Sequence, residues 1–174
     1  MFHPNSELAM DKLRQMDEVV CDITKWKFSA CAYNCTELHF DVRPGTVREE
    51  IKTLGRLSSI YRNIKGAFLD DFLTHVKHGA ITVEEHSRNY AALKNANPAL
   101  RFWVPVYTHE LDEQGWAGFK PHLDVINLWV WSPKDLPGLD RHVERCRKIF
   151  PDSPSSWVAT CGITLRRAPC PWTC

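Results

Sequence analysis

The stretch VINLWVW, residues 125–131, alternates two kinds of side chain and guides our interpretation of the fold. Ile126, Leu128 and Val130 lie on one face of an extended chain. The other face carries Val125, Asn127, Trp129 and Trp131. Alternation with a period of two is typical of a β-strand. An aliphatic face opposite an aromatic and polar face favours a barrel, because outward faces meet helices and inward faces near the mouth carry function.

The same division recurs in two earlier segments. Residues 102–107 place Phe102, Val104 and Val106 on one face, and the opposite face carries Trp103, Pro105 and Tyr107. Residues 37–42 alternate in the same way. Their apolar face is Leu38, Phe40 and Val42, and their polar face is Glu37, His39 and Asp41. In an open sheet covered by helices on both faces, both faces are expected to be apolar, so rows of aromatic and polar side chains on one face favour a barrel over a doubly wound sheet.

The order of elements supports parallel pairing. Strands are predicted at 19–24, 37–42, 64–69, 102–107, 125–131 and 157–161, and helices at 46–61, 82–98 and 132–150, with a short helical turn around 115–121. Parallel strands need crossover connections, which helices supply. No glycine-rich loop follows the first strand, which counts against a dinucleotide fold. We therefore predict the α/β class, as a partial TIM-type (β/α) barrel with about six parallel strands.

A complete TIM barrel has eight strands and typically about 250 residues, whereas this chain has 174. We divide it into a polar helical entry at 1–17, a partial barrel at 18–161 and an irregular tail at 162–174. A truncated or frame-shifted product and a disordered terminus both explain the tail. An open barrel leaves two strand edges unpaired, so self-association is expected.

Composition and charge exclude several partners. The net charge is +1 and the basic residues are scattered, so we expect no nucleic-acid partner. No run of about 20 apolar residues predicts a membrane span, and residues 1–5 lack a signal-peptide pattern, which leaves the cytoplasm as the default compartment.

The cysteines give no metal signal. There are seven, an odd number, and no pair has the two-residue gap of a zinc knuckle. They are interpreted as buried or free thiols in a reducing compartment. We expect neither a cofactor nor a metal. A loop metal site built from Asp70, Asp71, His75 and His78 is the alternative considered.

Carboxylates follow two neighbouring predicted strands. Asp70 and Asp71 end the strand at 64–69, and Glu110 lies just past the strand at 102–107. In barrels the carboxyl ends of strands build the active site. Neighbouring strand ends allow carboxylates roughly 5–10 Å apart, the range that glycoside hydrolysis needs. These three residues are the catalytic candidates, although a helix cap, a loop salt bridge or a surface position also explains such residues.

Binding residues are predicted on the same inward face. Asp22 and Asp41 are inward by alternation and suit sugar hydroxyl groups. Tyr107, Trp129 and Trp131 offer flat rings on which sugar C–H patches stack. The alternative interpretation of the aromatic side chains, and of His39, is an ordinary role in the core.

Two of these segments resemble parts of a known architecture. The run IKGAFLDDF, residues 64–72, resembles the acidic strand-end motif of glycosidase-like TIM barrels, and LWVW, residues 128–131, resembles the aromatic strand that lines their sugar clefts. The resemblance covers residues 18–160 and implies a glycoside hydrolase. The chain lacks the strand-end pattern of several aspartates and a glutamate seen in chitinase-like barrels. A non-catalytic carbohydrate-binding barrel and an inactive truncated barrel are the alternatives.

Overall fold

A computed structural model of the protein describes residues 5–30, 36–130, 132–151 and 155–156, with side chains described outside 25–41 and 155–156. The strands are β1 (Val19–Asp22), β2 (Lys25–Ala30), β3 (Thr36–Asp41), β4 (Ile64–Phe68), β5 (Arg101–Tyr107), β6 (Val125–Trp129) and β7 (Ser155–Ser156). The α-helices are α1 (Glu7–Lys12), α2 (Pro44–Ile60), α3 (Phe72–Lys77), α4 (Val83–Ala96), α5 (Glu113–Trp116) and α6 (Leu139–Ile149). Short 3-10 helices cover Thr108–Glu110, Lys120–His122 and Pro133–Gly138.

The main sheet has the order β1-β4-β5-β6-β7, and all its strands are parallel. Each strand of this sheet lies beside the one that precedes it in the chain, so the order does not reverse as it does in a doubly wound sheet. The predicted α/β class and parallel pairing are confirmed. The barrel stays a prediction, and so does self-association through its edges.

The predicted strand at 37–42 forms, but its place in a parallel sheet was wrong. β3 pairs antiparallel with β2 in a separate two-stranded sheet, from Lys25 opposite Asp41 to Ala30 opposite Thr36. Only residues 31–35 separate the two strands, too few for the crossover that parallel pairing needs. No element was predicted at residues 25–30, which form β2, the nearest partner for β3. The predicted strand at 157–161 lies outside the described residues.

The helix ends follow local chemistry, with one correction. The helix predicted to start at residue 46 is α2, which begins two residues earlier, at Pro44. Proline suits the first turn of a helix because its φ is already helical and its missing N–H leaves no donor unsatisfied. The start of α4 is as predicted, since the Thr82 hydroxyl accepts a hydrogen bond from the Glu85 amide at 3.2 Å.

The core lies on one face of the main sheet. Phe102, Val104 and Val106 are fully buried there, together with Ile126 and Leu128. Helix α2 contributes an apolar stripe to the same core: Val47, Ile51, Leu54 and Leu57. The predicted aliphatic faces of β5 and β6 are therefore the faces that pack against helices. Their aromatic and polar faces lie on the opposite side of the sheet.

A buried histidine sits in the core. The His86 ring is fully buried, packs edge-on against Phe72 and Phe102, and shares a 2.9 Å hydrogen bond between Nε2 and the His122 carbonyl. Burial lowers the pKa of His86 from 6.5 to about 4. The unfolded chain takes up this proton first, so the stabilising contribution of neutral His86 is lost as pH falls from 6.5 towards 4.

Two cysteines lie in the described ranges. Cys21 and Cys146 are buried free thiols, and burial raises the pKa of each to about 11. Buried thiols with raised pKa values are poor nucleophiles, which favours a structural role for both. None of the helices in the described part of the chain is long and apolar enough to cross a membrane.

Candidate functional site

The carboxyl ends of four parallel strands bring the candidate residues to the same end of the main sheet. We call this region the carboxyl edge. It comprises Asp22 at the end of β1, Asp70 and Asp71 after β4, Tyr107 at the end of β5 with Glu110 just beyond it, and Trp129 at the end of β6. Three of these positions carry carboxylates predicted to be catalytic. The strand order therefore places the three on two neighbouring strands, as the sequence predicted.

A proline explains why the chain turns at Asp70. The Leu69 amide donates to the Trp103 carbonyl at 3.1 Å, and a regular parallel ladder would return a bond from residue 105. That residue is Pro105, which has no N–H to donate. The pairing of β4 with β5 accordingly ends at Phe68 opposite Trp103. Asp70 and Asp71 are the first residues released from the ladder.

Asp71 adopts an unusual backbone conformation. Its φ is 48°, the one positive φ of a non-glycine residue in the described ranges. Asp tolerates this left-handed region better than most residues. The Asp71 amide donates to Oδ1 of Asp70 at 2.9 Å, which tightens the turn. Adjacent residues of a strand point to opposite faces, but the turn ends this alternation and the Asp71 side chain reaches Tyr107 on the neighbouring strand.

Tyr107 connects the two acidic segments. Its hydroxyl donates to Oδ1 of Asp71 at 2.7 Å, and its amide donates to Oε2 of Glu110 at 3.3 Å. The Tyr107 side chain is 7% exposed. His109 lies parallel to the ring at 5.5 Å, and Trp129 approaches edge-on at 5.7 Å. The Tyr107 hydroxyl is therefore hydrogen-bonded to Asp71, and the Tyr107 ring packs against His109 and Trp129.

The acidic groups differ in their electrostatic surroundings. Burial raises the pKa of Asp70 from 3.8 to about 6, and the negative charges of Asp71 and Asp22 add to that rise. Burial also raises the pKa of Glu110, which is 4% exposed, against the lowering effect of its bond from the Tyr107 amide. Burial and the bond to Asp71 raise the pKa of Tyr107 far above its usual value, so the phenol stays a protonated donor.

Asp22 lies at the edge but is occupied by its own loop. Its carboxylate accepts the Thr24 hydroxyl at 2.7 Å and the Thr24 amide at 2.8 Å, and Thr24 is fully buried. The Asn5 side chain donates to the Asp22 carbonyl at 2.7 Å and to Oε2 of Glu50 at 3.0 Å. These bonds fix the turn after β1, so Asp22 shapes the edge and adds negative charge beside Asp70.

One aromatic residue at the carboxyl edge was not predicted from the sequence. The ring of Phe68 on β4 stacks with the ring of Trp129 on β6, and the ring centroids are 6.0 Å apart. Strand β5, which carries Pro105, lies between β4 and β6. The position of Phe68 at the end of β4, two residues before Asp70, was the sequence signal for this contact. Trp131 lies outside the described residues, and the side chain of Asp41 is outside the described side chains. Neither prediction is tested.

Two polar atoms beside these rings have no hydrogen-bond partner in the described part of the chain. They are Nε1 of Trp129 and Oδ1 of Asn127, both buried. The two residues are separated by one position on β6 and therefore share a face of the strand. A donor and an acceptor left unpaired in a buried location favour a polar ligand or ordered water at this place.

The described residues that were considered as an alternative metal site are not gathered as a set of ligands. Among the residues described, no group of three or more His, Cys, Asp or Glu side chains is placed to hold a metal ion, and this includes Asp70, Asp71, His75 and His78.

No family model matches the chain. No curated protein matches it either.

Proposed function

We propose that the carboxyl edge is a carbohydrate-processing site of the glycoside-hydrolase kind, carried by part of a TIM-type barrel. The observation that supports this most is the contrast between two adjacent carboxyl groups. Asp70 is partly buried and its pKa is raised to about 6, whereas Asp71 accepts a hydrogen bond from a phenol. Glycoside hydrolysis requires one carboxyl group that gives a proton and one that is ionised.

The arrangement of the sheet supports the barrel part of the proposal. Parallel strands in sequential order, with helices packed on the aliphatic face, are the repeating pattern of a (β/α) barrel. The aromatic and polar face would then line the barrel interior. The candidate residues lie at the carboxyl ends of the strands, where TIM-barrel enzymes place their active sites.

In the proposed reaction Asp70 is the general acid. It transfers its proton to the glycosidic oxygen as the bond between that oxygen and the anomeric carbon breaks. Asp71 then has one of two tasks. It adds to the anomeric carbon as a nucleophile, or it takes a proton from the water that adds there. In the first case water later releases the sugar, and Asp70 receives the proton back.

Glu110 suits a supporting task better than contact with substrate. It is 4% exposed, its Oε2 accepts the Tyr107 amide, and its carbonyl accepts Nε1 of Trp116 at 2.9 Å. These contacts hold the turn that follows β5. We propose that Glu110 is a positioning residue, and that the pair which meets the sugar is Asp70 and Asp71.

The sugar itself would lie against the aromatic part of the edge. Trp129 is partly exposed, and its ring meets the ring of Tyr107, whose hydroxyl bonds Asp71. Nε1 of Trp129 and Oδ1 of Asn127 supply a donor and an acceptor without partners among the described residues. Sugars combine apolar C–H surface with hydroxyl groups, and both kinds of contact are present here.

The test is a panel of fluorogenic α- and β-glycosides together with oligosaccharide titrations followed by tryptophan fluorescence. We expect turnover of at least one glycoside and quenching by the corresponding oligosaccharide. Asp17→Asn, which makes the same chemical change at an exposed position, should leave both unchanged. Quenching without turnover would favour the carbohydrate-binding alternative. Neither turnover nor quenching would contradict the proposed function.

A further inference from the structure

Tyr107 was predicted to be a flat surface for a sugar, but the structure gives its ring little room for that. His109 covers it in parallel at 5.5 Å, Trp129 meets it edge-on at 5.7 Å, and the side chain is 7% exposed. A stacking platform needs an open ring face. The polar end of Tyr107 is therefore the part to examine.

The Tyr107 hydroxyl makes a short bond to a strained residue. It donates to Oδ1 of Asp71 at 2.7 Å, a length typical of a well-formed O–H···O hydrogen bond. Asp71 holds a left-handed backbone conformation, with φ 48° and ψ 34°. Such conformations persist at functional sites when the surroundings fix them. Tyr107 supplies a side-chain contact that fixes Asp71 from the neighbouring strand.

We propose that Tyr107 is a positioning residue that holds the Asp71 carboxyl group in its orientation beside Asp70. This inference rests on the proposed function. It adds which side chain of the neighbouring strand holds Asp71 in place.

Other titratable groups interact with this pair. They come from the turn after β4, from α3 and from the turn after β5: Asp70, His75 and Glu110. Asp22 acts on Asp70, and Lys77 and His109 act on Glu110. Burial lowers the pKa of His75, so near neutral pH its ring is uncharged.

The chain contains a matched control. The Tyr90 hydroxyl donates to Oδ1 of Asp124 at 2.8 Å, so it is a second tyrosine bonded to an aspartate. Asp124 precedes β6 and thus lies at the amino ends of the strands, away from the carboxyl edge. Tyr90→Phe removes the same atom from the same kind of bond, with no expected effect on the site.

The experiment compares the wild type with Tyr107→Phe and Tyr90→Phe in two measurements. On the glycoside that the wild type cleaves best, Tyr107→Phe should lower kcat at least about tenfold while KM changes by less than about threefold. Tyr90→Phe should leave both constants unchanged. In proton NMR, the signal of a hydrogen-bonded tyrosine hydroxyl should disappear in Tyr107→Phe and should shift strongly in Asp71→Asn. The same signal should persist in Tyr90→Phe.

The NMR measurement needs no turnover, so it separates the two proposals. If no such hydroxyl signal exists in the wild type, or if Asp71→Asn leaves it in place, the assignment to Tyr107 is overturned whatever the activity. A kcat for Tyr107→Phe equal to that of the wild type also overturns it. Loss of melting cooperativity in Tyr107→Phe alone would show a structural role and would contradict the inference. An inactive wild type that keeps the signal refutes the proposed function only.

Discussion

Replacement of Asp70 by asparagine is expected to lower kcat/KM about 1,000-fold on glycosides whose leaving groups need a proton. The amide cannot donate the proton that the departing oxygen requires, and general acid catalysis typically contributes about 10²–10⁴-fold. Substrates with a dinitrophenyl leaving group need little protonation, so they should lose far less. Kinetics on both substrate types with Asp70→Asn, and with Asp17→Asn as the control, measure this difference.

The same substitution should not unfold the protein. The pKa of Asp70 is raised to about 6 from 3.8, so the folded state holds this proton more tightly than the unfolded chain. Ionised Asp70 therefore destabilises the fold, an effect absent below pH 3.8 and complete above pH 6. Asp70→Asn should raise the free energy of unfolding by about 1–3 kcal/mol at pH 7 and by less at pH 4.5. Equal loss of activity on both substrate types, or a destabilised variant, would contradict the assignment.

The second large effect is expected at Trp116, which is fully buried beneath the turn after β5. Its ring stacks on Phe72 at 5.6 Å and meets Phe150 edge-on at 5.4 Å, and its Nε1 donates to the Glu110 carbonyl at 2.9 Å. Trp116→Ala removes these contacts and leaves a cavity. We expect the free energy of unfolding to fall by about 3–5 kcal/mol.

Denaturant titration measures this loss, with Trp116→Phe as the control. Phenylalanine retains most of the packing, so its smaller loss reports the missing hydrogen bond and ring volume. A loss below about 1 kcal/mol in Trp116→Ala would show that the ring does not support the turn. Because Trp116 contacts the segment that carries Glu110, glycoside turnover should fall with stability in Trp116→Ala and recover in Trp116→Phe.

Much of the fold was readable because its signals are local. The alternation at 102–107 and 125–131 identified the core faces of β5 and β6, and Thr82 marked the start of α4. The β2–β3 hairpin was missed even though the sequence of β2, KWKFSA, alternates polar and apolar residues. Its pairing depends on which strand lies nearest, and alternation alone does not give that. The predicted start of α2 at residue 46 was two residues late, because the helix begins at Pro44 and proline suits a first helical position.

The candidate site could likewise be predicted only in part from the sequence. The aspartates after β4 and the glutamate after β5 were found because strand ends are visible in a sequence. The contact of Tyr107 with Asp71 was not, since it joins residues 36 positions apart through a turn with positive φ. The signal for that turn lay on another strand, in Pro105. A proline inside a central strand interrupts a ladder, and here it frees the neighbouring strand to turn.

The most direct test of the central claim is chemical labelling of the carboxyl edge with epoxide-bearing glycosides. A sugar that binds there places its epoxide beside Asp70 and Asp71, where a proton donor and a carboxylate open the ring to form an ester. Mass spectrometry of the digested protein should find one sugar on the peptide that contains residues 70 and 71, and the free sugar should prevent the reaction. No label, or a label on exposed carboxylates that the free sugar does not prevent, would contradict a carbohydrate site at this edge.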